Sequence, residues 1–339
     1  MRDPADSALP LPSGKLPVQL MADLLAGFPS PPEVRLGPRI GEDACAVDVP
    51  GGVLVASTDP VTLTAAEAAR LSVLVNANDV AVTGARPRWF TAVVLVPPGT
   101  TEADVSELFA ALHRALDAVG AHLVGGHTEV TTSVTRPVVV GQMLGLAEAE
   151  TFVSSDGIRP GDAVVQVGPA PIEGTAVLAA EAADRLDGLP AKTLDAALAA
   201  LDRPGISVVE PALLAAGLGA TALHDPTEGG LAAGLHELAY ASGVRFRIDR
   251  DAVLWFEPGL AVCRALDADP WSTLASGTLL ASFGPDRLDA ALAALAERGH
   301  AVATIGEAEQ GSGVRDAAGG EIPWPERDEV PRVLEARPD

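Results

Sequence analysis

An α/β (α+β) fold in two domains is what this sequence predicts, and three observations predict it. At 339 residues the chain is longer than one hydrophobic core normally organises. Hydrophobic residues make up 48% and aromatics only 4%, so Ala, Leu and Val carry the core, as suits helices layered on sheets. Strand-like runs also alternate with helical ones in both halves.

The first residues, 1–12, are Pro-rich and predict disorder. A short amphipathic helix is expected at 18–25, and the prolines of 29–38 predict a loop. Residues 53–57 read as a strand delivering Thr58 and Asp59 to its end. Helical spacing runs through 65–84, with Leu71, Leu74, Val75 and Val82 near one face. A strand at 89–96 precedes a long helix at 102–119, for which Thr101 is the expected cap. Strands follow at 122–124 and 137–144, the second with the Val138-Val139-Val140 run of a buried strand. A composition shift at 148–159 marks a boundary. The division is a flexible N-terminal segment 1–35 carrying Lys15, a domain 36–149, a second domain 150–320 and a tail 321–339. In the second domain strands are expected at 163–167, 244–248, 277–282 and 301–305. Helices are expected there at 173–186, 191–201, 208–217, 227–242 and 286–297.

A net charge of -23 argues against electrostatic binding to nucleic acid. No apolar run reaches the ~20 residues that span a bilayer, and Met1-Arg2-Asp3-Pro4 does not open a secretion signal, so a cytoplasmic protein without a membrane segment is expected. Cys45 and Cys263 lie in unrelated contexts that suit neither a disulfide framework nor a zinc site.

The chemistry-bearing pattern is acidic residues set among small ones. It runs Gly41-Glu42-Asp43-Ala44, Thr58-Asp59-Pro60, Asn78-Asp79, Gly125-Gly126-His127-Thr128-Glu129 and His224-Asp225-Pro226-Thr227-Glu228-Gly229-Gly230. Carboxylates among Gly, Ala and Thr suit oxygen ligation of a hard cation, with backbone amides left for phosphate. Singly, each aspartate reads equally as a turn former or helix cap. Asn78-Asp79 is the sharpest case, because a polar pair in an apolar helix costs free energy unless it is satisfied or faces solvent. The two glycines at 125–126 permit close phosphate approach in a loop, and His127 reads as a ligand, a phosphate contact or a structural histidine. Thr227 and the amides after it form a helix start suited to phosphate, or simply a capped helix. Lys15 stands out because the only other lysine is Lys192.

In this order, the motifs resemble the superfamily of aminoimidazole ribonucleotide synthetase, the hydrogenase maturation protein that makes a thiocyanate, selenophosphate synthetase and thiamine monophosphate kinase. The likeness spans residues 13–310 and is strongest to the hydrogenase maturation branch. It rests there on Asn78 through Pro87, His224 through Leu231, and Ser276-Gly277-Thr278-Leu279-Leu280. It implies a homodimer whose N-terminal sheets pair into a barrel, with a C-terminal α/β sandwich domain closing a cleft. It also implies ATP and Mg2+ as cofactors, Asp43, Asp59, Asp79 and Asp225 as metal ligands, and Lys15, Asn78, Gly125, Gly126, His127 and Thr128 as nucleotide contacts. Lys15, His127 and Glu129 are the catalytic candidates.

Departures shape the functional expectation. His127 and Glu129 stand where the family has Asp and Lys, and a glutamate is missing before Gly277. The given sequence closes Arg337-Pro338-Asp339 without the branch's cysteine, so self-modification to a thiocyanate is not expected. The reading is an ATP- and magnesium-dependent enzyme that phosphorylates an amide- or carboxylate-type oxygen of a small or protein-borne substrate. The alternatives are a hydrogenase maturation factor acting in carbamoyl dehydration on a partner's cysteine, and a non-catalytic ATP-binding scaffold.

Overall fold

The computed structural model describes residues 16, 18–26, 28, 30–62 and 67–336. The N-terminal unit carries helix α1 (Val18–Leu25), strands β1 (Val34–Leu36), β2 (Cys45–Val49) and β3 (Gly52–Val61), helix α2 (Ala68–Ala81), strand β4 (Arg86–Val96), helix α3 (Glu102–Val119), and strands β5 (His122–Val130) and β6 (Val138–Ala147). Its six strands lie in the order β1-β2-β3-β6-β4-β5, antiparallel except for the parallel pair β4–β5.

The second unit carries β7 (Ala163–Val167), α4 (Glu173–Glu181), α5 (Ala191–Leu198), α6 (Val209–Gly217), β8 (Ala222–His224), α7 (Gly230–Ser242), β9 (Arg245–Ile248) and α8 (Glu257–Ala265). It continues with β10 (Leu279–Phe283), α9 (Leu288–Glu297), β11 (Val302–Glu309), β12 (Gly313–Asp316) and α10 (Glu329–Glu335). Its six strands run β12-β9-β11-β7-β10-β8.

Helix α2 is the keel of the molecule. Its Ala and Val content is buried almost all round, between sheet one, α3 and α6. Gly141 lets it approach β6, since a Cβ there would stand 2.8 Å from Ser72 O and 2.7 Å from Asn76 Nδ2. Leu71 and Phe90 are fully buried against this seam, each worth about 1.5–3 kcal/mol of burial free energy. The same apolar cluster continues through Ala212, Ala215, Leu223 and Phe283 of the second unit. Helix α3 begins as expected: the Thr101 side chain accepts from Asp104 N–H, and Asp104 reciprocates.

Several expectations shift. Residues 34–36 form an edge strand instead of loop, because only one side is paired and the flanking prolines need no partner. The Gly125–Thr128 segment is not a loop: β5 continues through it to Val130, paired with β4 across a register shift at Phe90/Thr91. Helix α7 starts at Gly230, because Gly229 and Gly230 hold φ of 84° and 65°. Residues 329–335, expected only as tail, form α10 and bury Val330 and Val333. Strands β8 and β12 were not anticipated; both are too short for periodicity to reveal.

Candidate functional site

The loop before β2 turns at Gly41, with φ of 87°, and a Cβ there would stand 2.9 Å from Glu237 O of α7. That close approach carries Asp43 across to the second unit. There the buried His224 ring donates from Nδ1 to Asp43 Oδ2 at 2.6 Å and from Nε2 to Glu237 Oε2 at 2.9 Å. Burial alone would lower the His224 pKa, but Asp43 and then Glu237 outweigh it and hold the ring well above the ordinary value, as an imidazolium. Next door, Glu42 accepts from Ser155 and from Arg39, which also reaches Asp156.

Asp59 lies within β3, near its end, where Asn76 of α2 grips its backbone. Asn76 Oδ1 accepts from Asp59 N–H at 2.9 Å, while Nδ2 donates to Ser72 O at 2.8 Å. One turn on, Asp79 is 2% exposed and accepts from Ser57 Oγ. Asp225, which follows β8, is fully buried, and neither carboxylate oxygen has a hydrogen-bond partner among the described residues. Burial raises both pKa values well above normal; Asp225, Asp59 and Asp43 add repulsion at Asp79, and Asp43 and Asp59 do so at Asp225.

The four expected metal ligands therefore share one electrostatic neighbourhood at the junction of the two units. Among the described residues, no three His, Cys, Asp or Glu side chains are close enough to hold an ion in common. The donor set nonetheless suits a hard cation. Mg2+ keeps several waters and takes one or two carboxylates directly, and Asp225 presents two buried oxygens with nothing to accept from.

Other expected residues are placed differently. Asn78 is fully buried and uses both ends of its amide inside the protein, Nδ2 donating to Ile206 O at 2.8 Å and Oδ1 accepting from Val208 N–H at 2.9 Å. Its expected nucleotide contact gives way to a tie between the units. The Asn78-Asp79 pair is buried, not solvent-facing: Asn78 is bonded at both ends of its amide, while Asp79 accepts from Ser57 and is repelled by the neighbouring acids. At the start of α7, the Gly229 N–H expected to meet phosphate is taken by Asp328 Oδ2 at 2.7 Å. Gly125, Gly126, His127, Thr128 and Glu129 lie on β5, an exposed edge, with His127 Nε2 and Glu129 Oε2 at 3.2 Å. Register links Asp59 to Gly141, Gly141 to Ala92 and Ala92 to Gly126. Three strand spacings separate Asp59 from Gly126, about 14 Å. Lys15 lies outside the described residues.

Asn76, Ser57 and Glu237 escaped the sequence reading, as did the clamping role of His224. Asn76 had a signal, a third polar residue within an apolar helix. Asn76→Ala should cost about 1–3 kcal/mol, by leaving the Asp59 amide unpaired. Urea unfolding checks this, and an unchanged midpoint would show that water replaces that bond.

Two α/β units meeting over a buried carboxylate set define the class, an ATP-dependent enzyme of the phosphoryl-transfer, ligase or dehydratase kind. Residues 41–147 match the family described as AIR synthase related protein, N-terminal domain, and 159–317 its C-terminal domain. The chain belongs to that family. It is 31% identical to the carbamoyl dehydratase HypE of Rhizobium leguminosarum bv. viciae, over 76% of this chain and 73% of that one. To the selenide, water dikinase of Nitratidesulfovibrio vulgaris it is 27% identical, over 84% and 89%. Among solved structures, the hydrogenase maturation protein HypE in complex with ATP superposes with a TM-score of 0.71 at 25% identity, covering 86% of this chain and 90% of that one. The thiamine monophosphate kinase of Aquifex aeolicus shares the fold, with a TM-score of 0.67 at 21% identity over 83% and 92%. No helix among the described residues is long and apolar enough to cross a membrane.

Proposed function

We propose that this chain uses ATP and Mg2+ to phosphorylate an amide- or carboxylate-type oxygen of a small or protein-borne substrate. The observation that carries the proposal is the orphaned, buried Asp225 carboxylate facing Asp43, Asp59 and Asp79. Buried like charges repel unless a cation neutralises them. In this reading one or two of those carboxylates would take the metal directly and the others would act through its waters, and the bound metal would neutralise phosphate charge. The protein's contribution is positioning: Asn76 fixes Asp59, Ser57 fixes Asp79, and the His224 clamp fixes Asp43.

The exposed β5 edge, with Leu123, Val124 and Val130 uncovered, supports a homodimer in which two such sheets pair. The about 14 Å between Gly126 and Asp59 in one chain favours a nucleotide site shared by both copies. Lys15 and His127 are then candidates for contacting the triphosphate, and Lys15, His127 and Glu129 for catalysis. A carbamoyl acceptor is favoured specifically by the 31% identity to a carbamoyl dehydratase. This substrate could sit on a partner protein, as in hydrogenase maturation.

ADP release should appear when the protein meets ATP, Mg2+ and S-carbamoyl-N-acetylcysteine or a panel of small amides and carboxylates, and should cease with EDTA. ATP binding without ADP release across the panel would refute the acceptor class.

A further inference from the structure

At one edge of the second sheet three chain segments open side by side. Val167 of β7 pairs with Leu279 of β10, and Leu280 of β10 with His224 of β8. The antiparallel order therefore places the ends of β7 and β8 and the entry to β10 at the same edge. From β7 the chain enters α4, whose first residue is Glu173; from β8 it runs into Asp225–Glu228; β10 is entered through Ser276 and Gly277.

Hydrogen bonds fasten these segments together. Gly174 N–H donates to Leu274 O at 2.9 Å, and Ala275 N–H to Thr227 O at 3.3 Å, so the 274–276 turn holds both neighbours. Gly277 packs on the segment between α5 and α6: a Cβ there would stand 2.8 Å from Gly205 O and 2.9 Å from Ile206 Cα. Ile206 O in turn accepts from Asn78, the neighbour of Asp79.

Within this frame Glu173 is 6% exposed, and the groups acting on its carboxyl are the Ser276 hydroxyl and the Glu228 carboxylate, with Asp328 beyond Glu228. Glu228 adds like charge, and Ser276 only partly offsets the cost of burying one at Glu173. The Ser276 hydroxyl is itself 1% exposed, and although near enough to favour the charged form of Glu173, it meets no partner at hydrogen-bonding geometry among the described residues. Burial raises Glu173, Ser276 opposes and Glu228 adds repulsion, leaving it at about 6. A glutamine would fill the space without that cost. A buried acid poised near neutrality beside an orphaned hydroxyl, at the sheet edge that also carries Asp225, suits proton transfer better than scaffolding.

We propose that Glu173 is the proton-accepting residue of the acceptor half of the site, with Ser276 as its positioning partner. The inference rests on the functional reading above. The acceptor oxygen bonds to the γ-phosphorus while the bond from that phosphorus to the β–γ bridging oxygen breaks, and ADP leaves with the electron pair. A carbamoyl nitrogen made cationic by that step gives one proton to the Glu173 carboxylate, which later returns it to water.

The test uses the full chain with ATP, Mg2+ and S-carbamoyl-N-acetylcysteine, following ADP release from pH 5 to 8.5 and ATP affinity by calorimetry. The wild type should lose rate about tenfold per unit below about pH 6. Glu173→Gln should lose roughly 100-fold in turnover and the acidic limb as well, with ATP affinity unchanged and the melting temperature unchanged or higher. Glu173→Asp should keep the limb at reduced rate, and Ser276→Ala should move the limb to higher pH. A Glu173→Gln variant that keeps the limb, or loses less than about threefold in turnover, overturns the assignment. A wild type that binds ATP but releases no ADP with this probe removes the functional reading beneath it instead.

Discussion

Asp225→Asn is expected to stabilise the metal-free protein while crippling its use of magnesium and ATP. The carboxylate is buried, has no hydrogen-bond partner among the described residues, and is repelled by Asp43 and Asp59. Replacing it with a neutral amide of the same shape relieves desolvation and repulsion together. A gain of about 1 kcal/mol would raise the melting temperature by roughly 2–4 °C. The sign with pH follows from the raised pKa. The folded wild type binds more protons than the unfolded chain, so its stability falls as pH climbs above about 4. The advantage of the variant should therefore widen from acid towards neutral pH. In the presence of Mg2+ the order reverses: ATP affinity should drop at least about 100-fold, close to 3 kcal/mol. Calorimetric titration with and without Mg2+ decides it, and an unchanged Mg2+-dependent affinity would remove Asp225 from the metal site. Asp79→Asn should behave alike in affinity, with a smaller gain in stability because Ser57 already serves its carboxylate.

The second large effect is expected at His224. Its imidazolium lies between Asp43 of one unit and Glu237 of the other, buried and bonded at both nitrogens. His224→Ala removes the cation and strands two carboxylates, a loss of about 3–5 kcal/mol in unfolding free energy. Asp43 also loses the contact that orients it, so nucleotide affinity should weaken along with stability. His224→Ala combined with Glu237→Ala should recover part of the loss, because one stranded charge is gone. Denaturant titrations of the three proteins provide the measurement. A loss below about 1 kcal/mol would show the clamp to be solvated and weak.

Particular elements show how far sequence reasoning reached. Helices α1 and α3 and strand β7 occupy their expected ranges, since each carries its own periodicity, cap or apolar run. Helix α2 was legible from its spacing, yet the roles of its three amides and acids were not interchangeable. Asn76 holds a strand, Asn78 holds the other unit, and Asp79 faces the remaining acids. Identical residue types two positions apart can be told apart only by what surrounds them. The glycines at 125–126 misled for a similar reason. Glycine signals unusual backbone or close approach, and here the close approach is to β4, where a Cβ on Gly126 would stand 2.1 Å from Ala92 O.

By itself, the sequence determined the alternation of strands and helices, the two-unit organisation of its motifs, and the choice of four aspartates among small residues. These are local properties, written in spacing and side-chain type. Only the tertiary structure decided that Asp43 is gripped by a histidine 181 residues away, that Asp225 is left without a partner, and that Glu173 meets Ser276. Burial and charge neighbourhood are set by which distant segments pack together. No spacing along the chain encodes that, so the chemistry of each acid is fixed by the fold around it.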